Sequence, residues 1–317
     1  MDLHQEILNY NIGKQIGKGT FGTVNICFDN KKGERRVIKR IKDKTQYLKF
    51  AKKEIKLLKI LDENNKDGIE PIIKLYEDFI YNDIQYLVFE YMDINLYKYY
   101  FKKEKLPYNE VLYIMYEVAK GLKFIHSLKI IHCDLKPENI MLNLEGSKKV
   151  KIIDLGSSNL NEDRKDYFYI QSRYYRAPEL VFNIYYNNKI DIWAFGCIFM
   201  ELLFGTPLIP AKDRNDLVYY FTTLIGIPST NSRYLTCKLF NIYFTWDKNE
   251  QKYVRKHFIN KYKQVNLYGL IQLIDSYNFD IGTNKKELHK LLGSIIQYDY
   301  NTRIDAEKIL ESEIFKK

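Results

Sequence analysis

Cysteine, proline, tryptophan and glycine are all scarce in this chain of 317 residues, with 4, 7, 2 and 15 copies. Each shortage excludes something. Cys27, Cys133, Cys197 and Cys237 are widely and irregularly spaced. They offer neither a disulfide framework nor a paired metal-ligand spacing, which points to a reducing compartment. With so few glycines and prolines, long disordered linkers are not expected. The start, "MDLHQEILNY", lacks a basic segment followed by an apolar core, so no signal peptide is evident. The most apolar run, "IWAFGCIFM", lies between Asp191 and Glu201 and is too short to span a bilayer. No internal repeat or low-complexity tail is visible, and no oligomerisation element. A soluble, intracellular monomer is expected, in the cytoplasm, the nucleus or both, with no membrane partner.

What is present is ordinary for a globular protein: 46% hydrophobic and 28% charged residues, with a general bias towards Tyr, Ile, Asn and Lys. The length suffices for two lobes or for one large domain with a good core. The net charge of +10 favours acidic partners, whether nucleic acid or phosphorylated protein. Much of it lies in lysine-rich faces such as Lys49, Lys52, Lys53, Lys56 and Lys59, whose spacing suits a solvated helix face. No nucleic-acid-binding module or aromatic-basic motif accompanies the charge, so no specific nucleic-acid partner is expected.

Hydrophobic periodicity changes character along the chain. From about residue 11 to 92 it reads mostly as short strands, interrupted by one helix. That helix, "TQYLKFAKKEIKLLKIL", repeats Leu48, Ala51, Ile55, Leu58 and Leu61 at three and four. From about Asn95 the periods are helical. "NEVLYIMYEVAKGLKFIHSLK" is amphipathic, and "KIDIWAFGCIFMELLFG" is apolar all round, as a buried central helix would be. The expected architecture is α+β: a small strand-rich lobe, a boundary near 91–95 and a larger helical lobe. The stretch from about 230 to 282 is poorly patterned, and no function is placed there.

Four features carry chemistry. "IGKGTFGTV" holds Gly17, Gly19 and Gly22. A dinucleotide fold needs a helix after the last glycine. Here "TVNICF" suggests a strand, so the glycines cap a hairpin. Such a turn can be structural only, or can let backbone N–H groups approach phosphate oxygens. Lys39 follows on the third strand and Glu54 lies in the helix after it. An ammonium that grips phosphates needs such a carboxylate to keep it charged and aimed. "HCDLKPEN" places Asp134, Lys136 and Asn139 within one loop. Asp154 follows a further strand, and two strands joined by a turn would return it towards Asn139. A carboxylate and an amide carbonyl are hard oxygen ligands suited to Mg²⁺, while Asp134 can accept a hydroxyl proton. This is the equipment of phosphoryl transfer, which needs positioning and charge neutralisation above all.

The ordered set "GKGTFGTV", Lys39, Glu54, "HCDLKPEN", "DLG" at Asp154–Gly156 and "APE" at Ala177–Glu179 resembles the eukaryotic protein kinases. The resemblance runs from about Ile12 to the last residues. It implies a single kinase domain over 1–317, with a small lobe at about 10–92, a hinge at about 89–95 and a large lobe at about 95–317. It implies ATP and Mg²⁺ as cofactors and protein substrates as partners. Asp134, Lys136, Lys39 and Glu54 then take catalytic roles, and Asn139 and Asp154 hold the metal. ATP is held by Ile16, Gly17, Lys18, Gly19, Gly22 and Val24 of the glycine loop, and by Val37 and Lys39. The segment "FEYM" resembles the hinge, with Phe89 at the back of the pocket and Glu90 and Met92 along it. Leu142 completes the nucleotide set. Asp191 and Glu179 with Arg303 match structural positions of the family.

The activation segment "YFYIQSRYYRAPE" narrows the likeness to the CMGC group, where it is similar to the dual-specificity tyrosine-regulated kinases (DYRK) and the homeodomain-interacting kinases (HIPK). Cys133 stands where many kinases carry a phosphate-holding arginine, and a thiol cannot replace that contact. The resemblance implies instead that Tyr169 is autophosphorylated and held by Arg173 and Arg176, through charge-assisted hydrogen bonds. "HCDLKPEN", the Tyr-x-Tyr pair and Ser157 and Ser158 favour DYRK; "ENIML" and "QSRYYRAPE" also fit HIPK. The sequence departs from the pattern at Leu155, where phenylalanine is usual, and at Val37, where alanine is. Only about ten residues are expected to precede the first strand, and no counterpart is expected among them of the upstream segment that the resemblance associates with tyrosine autophosphorylation in DYRK members. The expected activity is phosphorylation of Ser/Thr on proteins, with Tyr169 as an autophosphorylation site. The alternative is a catalytically weak pseudokinase acting as a scaffold, although Lys39, Asp134 and Asp154 are all retained.

Overall fold

The structure is a computed structural model that describes residues 5–19, 22–103, 105–144, 148–160, 170–229, 233–256, 269–276 and 285–316. The chain divides into two compact units: residues 1–95 with 140–158, and residues 96–139 with 159–317. Besides the boundary near residue 95, which the periodicity marks, there is a short return of the chain to the first unit. The fold is that of a two-lobed protein kinase, a small antiparallel sheet lobe and a larger, mainly helical one.

In the first unit, β1 (Gln5–Ile7), β2 (Tyr10–Lys18), β3 (Gly22–Asp29), β4 (Glu34–Ile41), β5 (Leu75–Tyr81) and β6 (Ile84–Glu90) form one antiparallel sheet in the order β1-β2-β3-β4-β6-β5. Its turns follow from local chemistry. Asn82 and Asp83 both adopt positive φ, 48° and 59°, in the two-residue β5–β6 connection, a geometry that Asn and Asp tolerate. Gly33, at φ 69°, closes the β3–β4 turn. The sheet buries side chains on both faces. One packs α1 (Thr45–Asn64) through Ala51, Ile55, Leu57, Leu58 and Leu61. The other gathers Ile7, Tyr10, Cys27, Ile38, Tyr86 and Val88 into a separate cluster. Strand β1, which the sequence does not announce, supplies Ile7 to that cluster. The unit is completed by β7 (Ile94–Asn95), β9 (Ile140–Asn143) and β10 (Lys149–Ile152), a three-stranded sheet in the order β10-β9-β7. The Ile152 carbonyl accepts from Ile73 N at 3.0 Å, and Ile152 N donates to the Pro71 carbonyl at 2.8 Å, which ties the return segment to the unit.

The second unit holds α2 (Leu96–Lys103), α3 (Tyr108–Ser127), β8 (Ile130–Ile131), β11 (Asn159–Leu160), α4 (Pro178–Val181), α5 (Lys189–Phe204), α6 (Arg214–Ile225), α7 (Phe240–Tyr243), a hairpin of β12 (Phe244–Asp247) and β13 (Lys252–Arg255), α8 (Leu270–Ser276), α9 (Lys285–Ile295) and α10 (Ala306–Leu310). Every residue from Ile190 to Leu203 is buried, so α5 is the central helix that its unbroken apolarity predicts. Close packing sets Gly196, because a Cβ there would sit 2.5 Å from Ile295 Cγ2. The helix ends at Gly205, a left-handed cap at φ 74°. Among the described residues no helix is long and apolar enough to cross a membrane.

Arg303 and Glu179 form a bidentate ion pair at 2.7 and 3.1 Å with both side chains fully buried. The guanidinium also donates to the carbonyls of Lys189 and Gln297, both at 2.8 Å, and stacks over Trp193. This pair joins α4, the start of α5 and the segment after α9. Removing one partner leaves the other charge buried and uncompensated. We expect Arg303→Ala to cost about 3–5 kcal/mol of unfolding free energy, read as a lowered midpoint in urea denaturation.

Candidate functional site

In the first unit the sheet carries Lys39 towards α1. Its register partners are Val24 on β3 and Leu87 on β6. On β4 alternate residues share a face, so Val37 and Lys39 lie on one side and Ile38 and Arg40 on the other. Glu54 comes from the inward face of α1, buried at 3% exposure, and its carboxylate accepts from Lys39 Nζ at 2.8 and 3.0 Å. Burial alone would lower the Lys39 pKa. The Glu54 carboxylate, with Asp154 Oδ1 at 3.9 Å, outweighs it, and the net shift is upward. The ammonium is therefore held charged.

Asp154 follows β10 in the left-handed conformation, φ 63°, and its carboxylate accepts from Gly156 N at 3.4 Å. Leu155, where phenylalanine is usual, is buried, and its short helical turn packs against α1. The Asp154 side chain stays 37% exposed, so it can meet a ligand from solvent. The predicted hairpin forms. β9 and β10 pair with Ile140 opposite Ile152, Asn139 being the residue before β9 and Asp154 lying two residues past β10.

The three loop glycines separate by role. Gly17 pairs with Val24, and a Cβ there would make ordinary contact at 3.5 Å. At Gly19 a Cβ would meet nothing within 4 Å. Gly22 is different: a Cβ there would lie 1.9 Å from the Arg40 carbonyl oxygen. Its lack of a side chain is required by the approach of β4 as well as by any phosphate. Ile16 and Lys18 are exposed on β2, Val24 and Val37 are half-buried, and Val37 pairs with Phe89. Phe89, Met92 and Leu142 are buried. The Glu90 carboxylate is taken by Lys74 N at 2.7 Å and Lys151 Nζ at 2.8 Å.

In the second unit the loop after β8 is fixed from below. The buried Asp191 carboxylate accepts from His132 N at 2.8 Å and Cys133 N at 3.0 Å, and lies 2.9 Å from His126 Nε2. Cys133 adopts φ 66° and is fully buried, with its thiol 3.5 Å from the Ile131 carbonyl. Asp134 Oδ2 accepts from Lys136 Nζ at 2.7 Å, and Oδ1 accepts from Ser172 N at 3.0 Å and Ser172 Oγ at 2.8 Å. Lys136 Nζ also reaches Ser172 Oγ at 3.0 Å. Asn139 Nδ2 donates to the Asp134 carbonyl at 2.9 Å, which directs the amide oxygen elsewhere. The structure thus brings Asp134, Lys136 and Asn139 together in one unit, and Lys39, Glu54 and Asp154 in the other.

Ser172 escaped the sequence reading. It lies 38 residues from Asp134, and only the tertiary fold makes the two neighbours. Its neighbour Gln171 also matters. Gln171 N donates to the Cys133 carbonyl at 3.0 Å, and its side chain bonds Ala177 N at 2.8 Å and the Ile190 carbonyl at 2.9 Å. Arg176 donates to the carbonyls of Ile170, at 3.1 Å, and Gln171, at 2.8 Å. Arg173 is exposed and donates to the Lys212 carbonyl. Tyr169 lies outside the described residues.

A buried lysine–glutamate pair beside an aspartate in one unit, and a clamped aspartate with a lysine and an asparagine in the other, define a protein kinase. The chain matches the protein kinase domain family over residues 10–315 and belongs to it. Among curated proteins it is similar to dual specificity tyrosine-phosphorylation-regulated kinase 3 of Homo sapiens, 39% identical over 222 residues that make up 69% of this chain and 37% of the relative. It is 37% identical to dual specificity tyrosine-phosphorylation-regulated kinase 4 of Homo sapiens, over 71% of this chain and 44% of the relative. It is also 37% identical to the kinase mbk-2 of Caenorhabditis elegans, over 70% and 27%. The chain spans less than half the length of these relatives.

The glycine assignments can be separated by stability. Gly22→Ala should cost about 1–3 kcal/mol, because β3 and β4 must part to admit the methyl group. Gly19→Ala should stay within about 0.5 kcal/mol of the parent. Urea midpoints of the two variants measure this, and equal midpoints would refute the distinction.

Proposed function

We propose that the chain is an active protein kinase that transfers the γ-phosphoryl group of ATP to serine and threonine hydroxyls of proteins, and once to its own Tyr169. The observation that carries this reading is the clamped Asp134 carboxylate. Ser172 and Lys136 fix both of its oxygens, which aims a base. In the reaction the substrate hydroxyl oxygen attacks the γ-phosphorus, the bond to ADP breaks, and the hydroxyl proton passes to Asp134. Lys136 balances charge beside that base. Lys39, kept cationic by Glu54, binds the phosphates of the substrate ATP.

The residues present fit a magnesium ion. Among the described residues no group of three or more His, Cys, Asp or Glu gathers as a dedicated metal cage. Mg²⁺ does not need one, since it takes one or two protein oxygens and completes its shell with phosphate and water. Asp154, with its exposed carboxylate, and Asn139, with its amide oxygen turned from Asp134, are the residues that would hold it. Its chemistry there is neutralisation of phosphate charge. Support for Tyr169 comes from the names of the relatives, which state dual specificity and tyrosine phosphorylation of those proteins, and from Arg173 and Arg176 downstream.

Phosphate incorporation into a generic basic protein with Mg-ATP tests the reading. Lys39→Met should keep the fold, at some cost in stability from the buried Glu54 it leaves unpaired, and lose about 10²-fold or more in turnover, and Asp134→Asn should abolish the signal. A parent signal that persists in Asp134→Asn, or no signal at all, would favour a binding scaffold. Ser172→Ala removes one donor from Asp134 and should lower kcat about tenfold with little change in KM. Tyr169→Phe should reduce activity, and mass spectrometry finding Tyr169 unmodified in the active protein would overturn the tyrosine assignment.

A further inference from the structure

Lys151 is a buried cation that the phosphotransfer chemistry does not use. It lies on β10, shortly before Asp154, and is 8% exposed. Its Nζ lies 2.8 Å from Glu90 Oε1 and donates to the Ile72 carbonyl at 3.1 Å. The same Glu90 oxygen accepts from Lys74 N at 2.7 Å, and Glu90 N donates to the Lys74 carbonyl at 3.1 Å. A buried lysine is rarely kept without a partner, and here the partner is a carboxylate held from two sides. Lysine, glutamate and the 72–74 main chain thus form one knot inside the first unit.

The knot is tied where β6 ends. Glu90 is the last residue of that strand and pairs there with Arg36 of β4. The next two residues leave the sheet. Among the described residues Tyr91 and Met92 make no main-chain hydrogen bond, and bonding resumes at Asp93 N, which donates to the Leu142 carbonyl at 3.1 Å. Met92 is nonetheless buried, as are Phe89 and Leu142. Buried main-chain groups normally find partners. Two consecutive residues whose donors and acceptors are open, beside apolar side chains, can take the polar edge of a flat heterocycle. Their direction depends on how the chain leaves Glu90.

We propose that Lys151 is a positioning residue for the nucleotide base. Acting through Glu90, it fixes the exit of the chain from β6, and with it the main-chain groups of Tyr91 and Met92 that meet adenine. The proposal rests on the kinase reading for the identity of the ligand. Pre-setting those groups removes an ordering cost from binding, so the tether acts on affinity for the base and not on the transfer step.

Calorimetric titration of the full chain with adenosine and, separately, with Mg-ATP tests this. Lys151→Met should weaken both by the same factor, about tenfold, because the loss lies at the base. Lys151→Arg, which keeps a cation for Glu90, should recover most of the affinity. In turnover, Lys151→Met should raise KM for ATP while kcat stays within about twofold of the parent. Lys151→Met also leaves the Glu90 carboxylate without its cation, so stability is followed by urea denaturation. The double variant Lys151→Met, Glu90→Gln removes that charge and should regain much of the urea midpoint, yet bind adenosine as weakly as Lys151→Met does. Adenosine affinity that simply follows the urea midpoint across these variants would leave Lys151 a structural role and overturn the proposal. A larger loss for Mg-ATP than for adenosine would place the effect at Lys39 and Asp154 and would also overturn it. Adenosine binding by the parent that Lys151→Met leaves unchanged would sink this proposal alone, whereas a parent that binds neither adenosine nor Mg-ATP would sink the kinase reading and this proposal with it.

Discussion

One buried carboxylate organises the reactive half of the second unit. Asp191 opens α5, whose residues from Ile190 to Leu203 are all buried, so its charge must be met by donors. Two of the three donors are the backbone N–H groups of His132 and Cys133. They converge on one carboxylate only if the loop turns sharply, and it does so by placing Cys133 at φ 66°. A non-glycine residue there costs about 1–2 kcal/mol, which the charge-assisted hydrogen bonds offset. That turn sets the direction of Asp134, and hence which side chains can reach its oxygens.

The same turn explains how the chain manages with cysteine at position 133. The thiol is packed inside, 3.5 Å from the Ile131 carbonyl and 3.9 Å from the Asn159 amide nitrogen. The backbone joins loop to activation segment: the Cys133 carbonyl receives Gln171 N, and Asp134 receives both Ser172 N and Ser172 Oγ. Gln171 is held in turn by Ala177 and Ile190, and Arg176 closes back on the carbonyls of Ile170 and Gln171. At the far end Tyr175 donates to the buried Glu201 at 2.7 Å, while Tyr100 donates to the other oxygen of that carboxylate. Burial raises the Glu201 pKa against the pull of these two donors. An arginine at position 133 would have to leave this packed site, so cysteine suits a loop whose links run through the main chain.

Much of this was legible in the sequence because the relevant signals are local or periodic. Lys39 is marked by strand alternation and Glu54 by its helix, and their 2.8 Å contact needs only the sheet and α1 to pack face to face. Asp134, Lys136 and Asn139 sit in one short loop. What was illegible is non-local. Ser172 lies within "QSRYYRAPE", but nothing in that motif assigns it a role towards Asp134, and the contact exists only once the fold is made. Gly22 was open to a purely structural or a phosphate-binding reading, and its clash with the Arg40 carbonyl exists only once β3 and β4 are paired. The hairpin of β12 and β13 hides in a stretch of weak pattern, because Phe240, Phe244, Trp246 and Tyr253 pack through edge-to-face and tilted ring contacts rather than by clean alternation. Strand β1 is too short for a periodic signal and is recognisable only by its pairing with Tyr10–Ile12.

The strand β4 shows how far one period-two pattern can carry function. Its odd residues, Val37 and Lys39, face α1, where Glu54 keeps an ammonium charged in a buried place. Its even residues, Arg36, Ile38 and Arg40, face away, and Ile38 and Arg40 lie beside Ile7 of β1 and Asn82 of the β5–β6 turn. A one-residue slip of register would exchange the two sets and take Lys39 away from Glu54 to the side of Tyr86 and Ile12. The tight passage of Gly22 against Arg40 resists that slip, since any other residue carried into its place would drive a Cβ into the β4 main chain. The glycine that resembles a phosphate-loop residue thus also fixes which face of β4 the lysine occupies.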